Sequence, residues 1–308
     1  MNDNLKKITV GSRGSKLARK QVEIFIKLLK TKKKDILVDR KFIKTTGDKI
    51  LNKNLYEIGN KSLFTKEIDQ AHIKNLIDVS VHSLKDLQYK LIPSLDVACY
   101  LPREDFRDGL VSKENVIFEE LKENAIIGTS SVRREAQLKL IRKDLRFKSI
   151  RGNIETRIKK LNEKKYDAIV LAMAGLNRLN LRGNISPLCS KKIVPSVGQG
   201  TIAVICKKKD KNLFKVLKSL SDTNTELASQ CERIFLSGFQ GNCNMPVGAL
   251  ARVEFKKVFF DYFVSNPSNG FFAKGQKIFN ISNCLDRSHS LGKEMRINYI
   301  KNEKNFSN

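Results

Sequence analysis

The stretch AIIGTSSVRREAQLKLI, Ala125 to Ile141, decides the fold. Ala125 to Gly128 reads as a short buried strand. Thr129, Ser130 and Ser131 interrupt it with side chains that favour turns and helix starts, and Val132, Ala136, Leu140 and Ile141 then recur at helical spacing. The same order of strand, polar loop and helix returns along the chain. Ile8 to Gly11 leads into Ser12-Arg13-Gly14-Ser15 and a helix bearing Leu17, Ala18, Val22, Phe25, Ile26 and Leu29, with Ser15 as its N-cap. Ile77 to Val81 leads into His82-Ser83-Leu84-Lys85-Asp86. Phe147 to Ile150 leads into Arg151-Gly152-Asn153 and a helix with Ile154, Ile158 and Leu161, and Asp167 to Met173 runs into Ala174-Gly175-Leu176-Asn177-Arg178. Alternation of this length predicts parallel sheets with helices on both faces, whose ligands sit beyond the carboxyl ends of the strands.

The fold class read from this pattern is α/β, with two lobes around a cleft and a small C-terminal α+β domain. The first lobe is expected over residues 1–101 with 201–221, because the strand Thr201 to Cys206 reads as crossing back to complete the first sheet. The second lobe covers 102–200. The segments Leu101-Pro102-Arg103-Glu104 and Pro195 to Gly200 serve as hinges. In the third domain, 222–308, Thr223-Asn224-Thr225-Glu226 fits a capping box that opens a helix with Leu227, Cys231, Ile234 and Phe235 on one face. Three strand-like runs follow, Val247 to Phe255, Val258 to Val264 and Phe271 to Phe279, then a helix near Leu291 to Ile300. The turn Pro267-Ser268-Asn269-Gly270 joins the last two strands.

Composition excludes several function classes. No run approaches the roughly 18 apolar residues of a membrane span, and the opening MNDNLKKITVGS has no signal-peptide core, so no membrane is expected and the compartment is read as cytoplasmic. Lys and Arg total 59 against 32 Asp and Glu, a formal charge of +27. The 42 Lys are spread over every segment rather than gathered on one helix or tail, and no nucleic-acid-binding motif accompanies them. Anion attraction follows and a nucleic-acid partner does not. The six cysteines form no CxxC pair and no Cys/His cluster, which speaks against a metal site or a disulfide framework.

Arginine placement is more informative. Arg13, Arg133, Arg134, Arg151 and Arg178 lie at or just past strand ends, and Arg157 sits on the first helical turns after Arg151. With only 17 Arg in the chain, this placement favours a planar fork that binds carboxylate or phosphate bidentately. For any one of them alone, pairing with the protein's own Asp or Glu is the better reading; six at equivalent positions favour a ligand with several negative groups. Ser15, Thr129, Ser130 and Ser131 at helix starts add backbone donors. Neither GxGxxG nor GxxxxGK[ST] is present, so carboxylates are expected in that cleft rather than nucleotides. Asp86 is either a carboxylate kept ionised by this cationic cleft or the partner of Lys85 or a helix N-terminus. His82, at a strand end, reads as a satisfied core residue. Cys243, within the turn-rich run QGNCNMPVG (240–248), is structural, a nucleophile or an attachment point, with no nearby histidine to act as base.

Together these segments resemble the porphobilinogen deaminase (hydroxymethylbilane synthase) family. The matching runs are GSRGSKLARKQ (11–21), TTGDK (45–49), LFTKEID (63–69), DVSVHSLKDL (78–87), LPREDFRDGLVS (101–112), IGTSSVRREAQL (127–138), IRGNIETRIKKL (150–161), YDAIVLAMAGLNRL (166–179), VPSVGQG (194–200) and GNCNMPVGALA (241–251). The resemblance implies a three-domain fold with two lobes of the periplasmic-binding-protein type. It also implies a dipyrromethane cofactor bound through a thioether at Cys243. Porphobilinogen would be the small-molecule substrate, condensed in four cycles with loss of ammonia and released by hydrolysis as hydroxymethylbilane for tetrapyrrole and haem synthesis. Asp86 would be the catalytic carboxylate. Arg13, Ser15, Ser83, Lys85, Thr129, Ser131, Arg133, Arg134, Arg151, Arg157 and Arg178 would bind cofactor and substrate, with no metal, in a monomer. The alternative is a non-catalytic two-lobed protein that binds a polycarboxylate. The chain departs from the family pattern at Asn60, Ser62, Gln88, Phe106 and Asn242.

Overall fold

A computed structural model describes residues 6–49, 63–241 and 245–304. In chain order the elements begin with β1 (Lys7–Arg13), α1 (Lys16–Lys32), β2 (Leu37–Ile43), α2 (Thr46–Lys49), α3 (Lys66–Ile73), β3 (Val79–Ser83) and β4 (Leu95–Tyr100). They continue with β5 (Asp108–Ser112), β6 (Ile126–Gly128), α4 (Val132–Ile141), β7 (Arg146–Lys148), α5 (Ile154–Asn162), β8 (Ala168–Ala172), α6 (Met173–Arg178) and β9 (Ile185–Pro187). Last come β10 (Ile202–Lys207), α7 (Lys211–Lys218), α8 (Thr223–Phe239), β11 (Val247–Glu254), β12 (Lys257–Asn266), β13 (Phe271–Asn280) and α9 (Cys284–Lys304). The described residues fall into two compact units, one of 6–49, 63–104 and 201–226, the other of 105–200, 227–241 and 245–304.

In the first unit the strand order is β2-β1-β3-β10-β4. β1 runs parallel to β2 and β3, as the alternating pattern predicts. The strand after residue 200 does complete this sheet, but it lies antiparallel to both neighbours, with Ile202 opposite Ser83 and Cys206 opposite Val79. This sheet is therefore mixed rather than parallel throughout. The helical spacing of α1 has its expected result: Ala18, Val22, Phe25, Ile26 and Leu29 are all buried, and the last four join Val10, Val81 and Val204 in one core. Ser15 caps the helix, its Oγ accepting from the Ala18 N–H at 3.3 Å.

The second unit holds a five-stranded sheet of order β7-β6-β8-β5-β9 and the antiparallel meander β11-β12-β13. β6 is parallel to β7 and β8, whereas β5 runs antiparallel to β8 and β9. Phe235 and Phe239 of α8 and Met295 and Tyr299 of α9 pack on Phe260 and Phe279 of the meander. Two details of this region differ from expectation. The N-cap of α8 is Asp222, whose carboxylate accepts from the Thr225 N–H at 2.8 Å; Glu226 accepts instead from the Ser221 hydroxyl and pairs with Lys218. Asp222 was outside the capping-box pattern because that pattern takes Ser or Thr at its first position. The last helix runs Cys284–Lys304, well beyond Leu291 to Ile300.

The segment 194–200 is fastened to the meander by a buried carboxylate. Glu232 of α8 accepts from the Gly198 N–H at 2.7 Å and from the Ala251 N–H at 2.8 Å, and the Ala249 N–H donates to the Pro195 carbonyl at 3.0 Å. The close approach needs Gly248, where a Cβ would stand 2.8 Å from the Val194 carbonyl oxygen.

Candidate active site

In the first unit the site residues come off the carboxyl ends of β1 and β3, which are paired neighbours with Gly11 opposite Ser80. Arg13 closes β1. Its Nε donates to Asp48 Oδ1 at 3.2 Å, with Nη2 on the same carboxylate, and its guanidinium lies over the Phe64 ring 4.3 Å from the centroid. Burial works to raise the Asp48 pKa, but the Arg13 bonds and charge and the Thr45 hydroxyl and N–H lower it below the ordinary value. Ser83 ends β3, its Oγ accepting from Gln21 Nε2 of α1 at 2.7 Å. The chain then makes a single 3-10 turn, Leu84–Asp86, in which Leu84 anchors the core and Lys85 is half-buried. Asp86 is exposed, and among the described residues no hydrogen bond or ion pair engages its carboxylate. Neither the cap nor the Lys85 bond that sequence left open is formed.

His82 is the core residue that sequence predicts. Its Nε2 and that of His72 each lie 2.9 Å from the Ser80 hydroxyl. Burial pushes His82 down to about 3, with His72 and Arg13 adding repulsion; burial and Lys207 bring His72 to about 4. Both rings are neutral at pH 7.

In the second unit the residues come off three adjacent parallel strands, β7, β6 and β8. Thr129 follows β6, its N–H donating to the Lys148 carbonyl of the segment beside it at 3.0 Å and its Oγ1 accepting from the Ser131 N–H at 3.1 Å. Ser131 caps α4, accepting from the Arg134 N–H at 3.4 Å. Past β7, Arg151 is half-buried, its carbonyl accepting from Lys160 Nζ at 3.1 Å, and Arg157 Nε donates to the Gly152 carbonyl at 2.8 Å. Gly152 has φ +118°, a conformation that suits glycine. Arg178, on α6 after β8, is buried and donates to the Gly200 carbonyl at 2.6 Å.

Arg133 and Arg134 are not exposed forks. Both are buried on Asp108 of β5, itself fully buried: Arg133 Nη2 donates to Oδ2 at 2.8 Å, and Arg134 Nη2 and Nε donate to Oδ1 at 2.7 and 3.0 Å. Gln199 Nε2 adds a bond to Oδ1 at 2.9 Å, and Arg133 Nη1 and Arg134 Nη1 reach the Val194 and Val170 carbonyls. Burial alone would raise the Asp108 pKa, and the two guanidiniums hold it far below the ordinary value. Pairing with the protein's own carboxylates, the reading set aside on sequence, therefore applies to Arg13, Arg133 and Arg134. The buried cluster still carries two cations on one anion, and Arg133 Nε is buried with no hydrogen-bond partner.

Sequence reading did not pick out Asp48, Asp108, Gln21 or Gln199. Asp48 and Asp108 lie in the matched runs TTGDK and LPREDFRDGLVS, yet nothing in either run says which arginine it takes. Cys243, Asn242, Asn60 and Ser62 lie outside the described residues. The residues leading to Cys243 are described: α8 ends at Phe239, Gln240 turns left-handed at φ 55°, and the Gly241 N–H closes back on the Leu236 carbonyl at 3.1 Å. After the cysteine, the Ser265 N–H donates to the Pro246 carbonyl at 3.0 Å. Among the described residues no cluster of His, Cys, Asp or Glu could hold a metal ion, and no helix is long and apolar enough to cross a membrane.

Comparison with known proteins identifies the family. Residues 8–215 match the family model described as porphobilinogen deaminase, dipyromethane cofactor binding domain. A porphobilinogen deaminase of Syntrophomonas wolfei is 45% identical over 251 residues, covering 81% of this chain and 82% of that protein. One of Bacillus cereus is 45% identical over 249 residues, covering 80% and 81%. Among solved structures, the periplasmic VFT2 domain of Bordetella pertussis BvgS is 12% identical, covering 73% of this chain and 92% of its own with a TM-score of 0.43. On the family match and the identity to these relatives, the chain belongs to the porphobilinogen deaminase family.

Proposed function

We propose that the protein is a working porphobilinogen deaminase, a transferase that condenses four porphobilinogen molecules head to tail with loss of ammonia and releases hydroxymethylbilane by hydrolysis. The observation that carries this reading is Asp86. Its carboxylate stands exposed at the end of β3 with no internal partner among the described residues, whereas Asp48 and Asp108 are each tied to arginine. A protein that only bound a polycarboxylate would gain nothing from a free anion there, so the non-catalytic alternative is disfavoured.

The second unit fits a carboxylate-bearing cofactor, because Arg133 and Arg134 outnumber Asp108 and leave a buried guanidinium N–H in search of an acceptor. Dipyrromethane, tethered by a thioether to Cys243, would supply a nucleophilic pyrrole carbon at its free end. The protein's own groups do the rest. Asp86 accepts from pyrrole N–H groups and offsets positive charge developing on the reacting ring, an electrostatic role that costs little reorganisation when the carboxylate is already in place. Arg13, Arg151, Arg157 and Arg178, with Lys85, Ser83, Ser15, Thr129 and Ser131, orient ring carboxylates. The remaining parts of the reading are a cytoplasmic monomer and a division into lobes 1–101 with 201–221 and 102–200, and a third domain 222–308.

The test is the intact mass of the denatured protein from cells that make porphobilinogen. An adduct the size of two linked pyrroles is expected, and Cys243→Ser should lack it. An unmodified mass in the wild type would sink the reading.

A further inference from the structure

Lysine is scattered over most of this chain, but along α7 it lines a groove. The groove has a volume of about 620 Å³ and is bounded by Lys208, Lys211, Lys215 and Lys218, with Phe214 and Asp96. β10 places it. Because that strand is antiparallel, its first residue, Ile202, lies opposite Ser83, while its last, Lys207, lies opposite Leu95 at the start of β4. α7 starts just beyond that last residue, so the groove lies at the opposite end of the sheet from Arg13 and Asp86.

Two of the four ammonium groups have internal counter-charges, Lys208 with Asp96 at 4.0 Å and Lys218 with Glu226. Lys211 and Lys215 are exposed and have no ion pair among the described residues. They stand four apart on one helix face with Lys218 three further on, a like-charge row that weakens a helix unless an anion bridges it. At 1.5 Å per residue the row from Lys211 to Lys218 spans about 10 Å, the reach of a chain of anionic groups rather than of one. The residue type separates this groove from the candidate active site. The strand ends carry arginine forks, whose planar geometry fixes one bidentate acceptor; the groove has no arginine, and its lysines are flexible point charges that can follow successive phosphates along a chain.

We infer that the α7 groove is a second anion site, which takes a linear polyphosphate, free or carried by a nucleotide. Phe214, half-buried among the lysines, offers a surface on which a nucleotide base would rest. The site is tested by calorimetric titration of the full-length protein and of K211Q/K215Q with inorganic tripolyphosphate, ATP and citrate, at one fixed ionic strength. In the double variant, tripolyphosphate affinity should fall at least about fivefold, citrate affinity should hold, porphobilinogen turnover should be unchanged and the unfolding midpoint should not fall. ATP binding tighter than tripolyphosphate would identify the nucleotide as the source, and equal binding the free chain. Unchanged tripolyphosphate affinity in K211Q/K215Q, or an equal loss for citrate, would overturn the proposal.

Discussion

At the scale of single residues, Asp86 and Asp108 have opposite environments, and a conservative change at each should separate function from folding. Asp86 is exposed with no internal bond among the described residues, so Asp86→Asn should leave the urea midpoint where it is. Turnover should fall by about a hundredfold or more, since the lost interaction belongs to the reacting ring. Steady-state kinetics beside a denaturation curve checks both, and near-normal turnover would remove Asp86 from its role. Asp108→Asn leaves two buried guanidiniums without their anion. Breaking such a cluster from one side costs about 3–5 kcal/mol, so the variant should lose that much in urea unfolding. A loss under about 1 kcal/mol would mean that water or a neighbouring carbonyl already screens the pair.

At the scale of elements, the capping of α8 gives the next prediction. Asp222 caps the helix through the Thr225 N–H, so Asp222→Ala should cost about 1 kcal/mol and Thr223→Ala less than half of that, by urea denaturation. Equal losses would return the cap to Thr223. The difference also shows where sequence reading stops. β1, β3, β6, β8 and β10 were legible as short apolar runs between polar or helical segments, and chain order alone placed β10 in the first sheet. β2 was missed because LVDRKFI sets three consecutive charged residues, Asp39, Arg40 and Lys41, between two apolar pairs along an exposed edge of the sheet. β5 was missed because DGLVS is short and opens with an acid whose burial only Arg133 and Arg134 explain. The arginines at strand ends were legible. Their partners were not, since Asp48 is 35 residues from Arg13 and Asp108 is 25 from Arg133, and no local pattern records pairing over such separations.

At the scale of the whole molecule, acid should loosen the protein unevenly. His72 and His82 lie in the first unit and are held neutral, with pKa values of about 4 and 3 against an ordinary 6.5. The unfolded chain takes up protons on these rings once pH drops below about 6.5, while the folded unit does not, so stability falls with pH from there towards 4. Asp69 in the same unit opposes this. Burial raises it to about 6 from 3.8, with the Thr65 hydrogen bond pulling the other way, so the folded form binds a proton first and gains stability as pH falls from 6 towards 4. Two histidines against one carboxyl leave a net loss, and the formal charge of +27 at pH 7 grows as carboxylates protonate, adding repulsion throughout. Hydrogen exchange followed by peptide mass at pH 7 and pH 5, corrected for intrinsic exchange rates, should show protection falling more in β1, β3 and β10 than in the β11-β12-β13 meander. His72→Gln should shrink that difference by removing one titrating ring from the pair on Ser80. Uniform loss across both units would assign acid sensitivity to net charge alone.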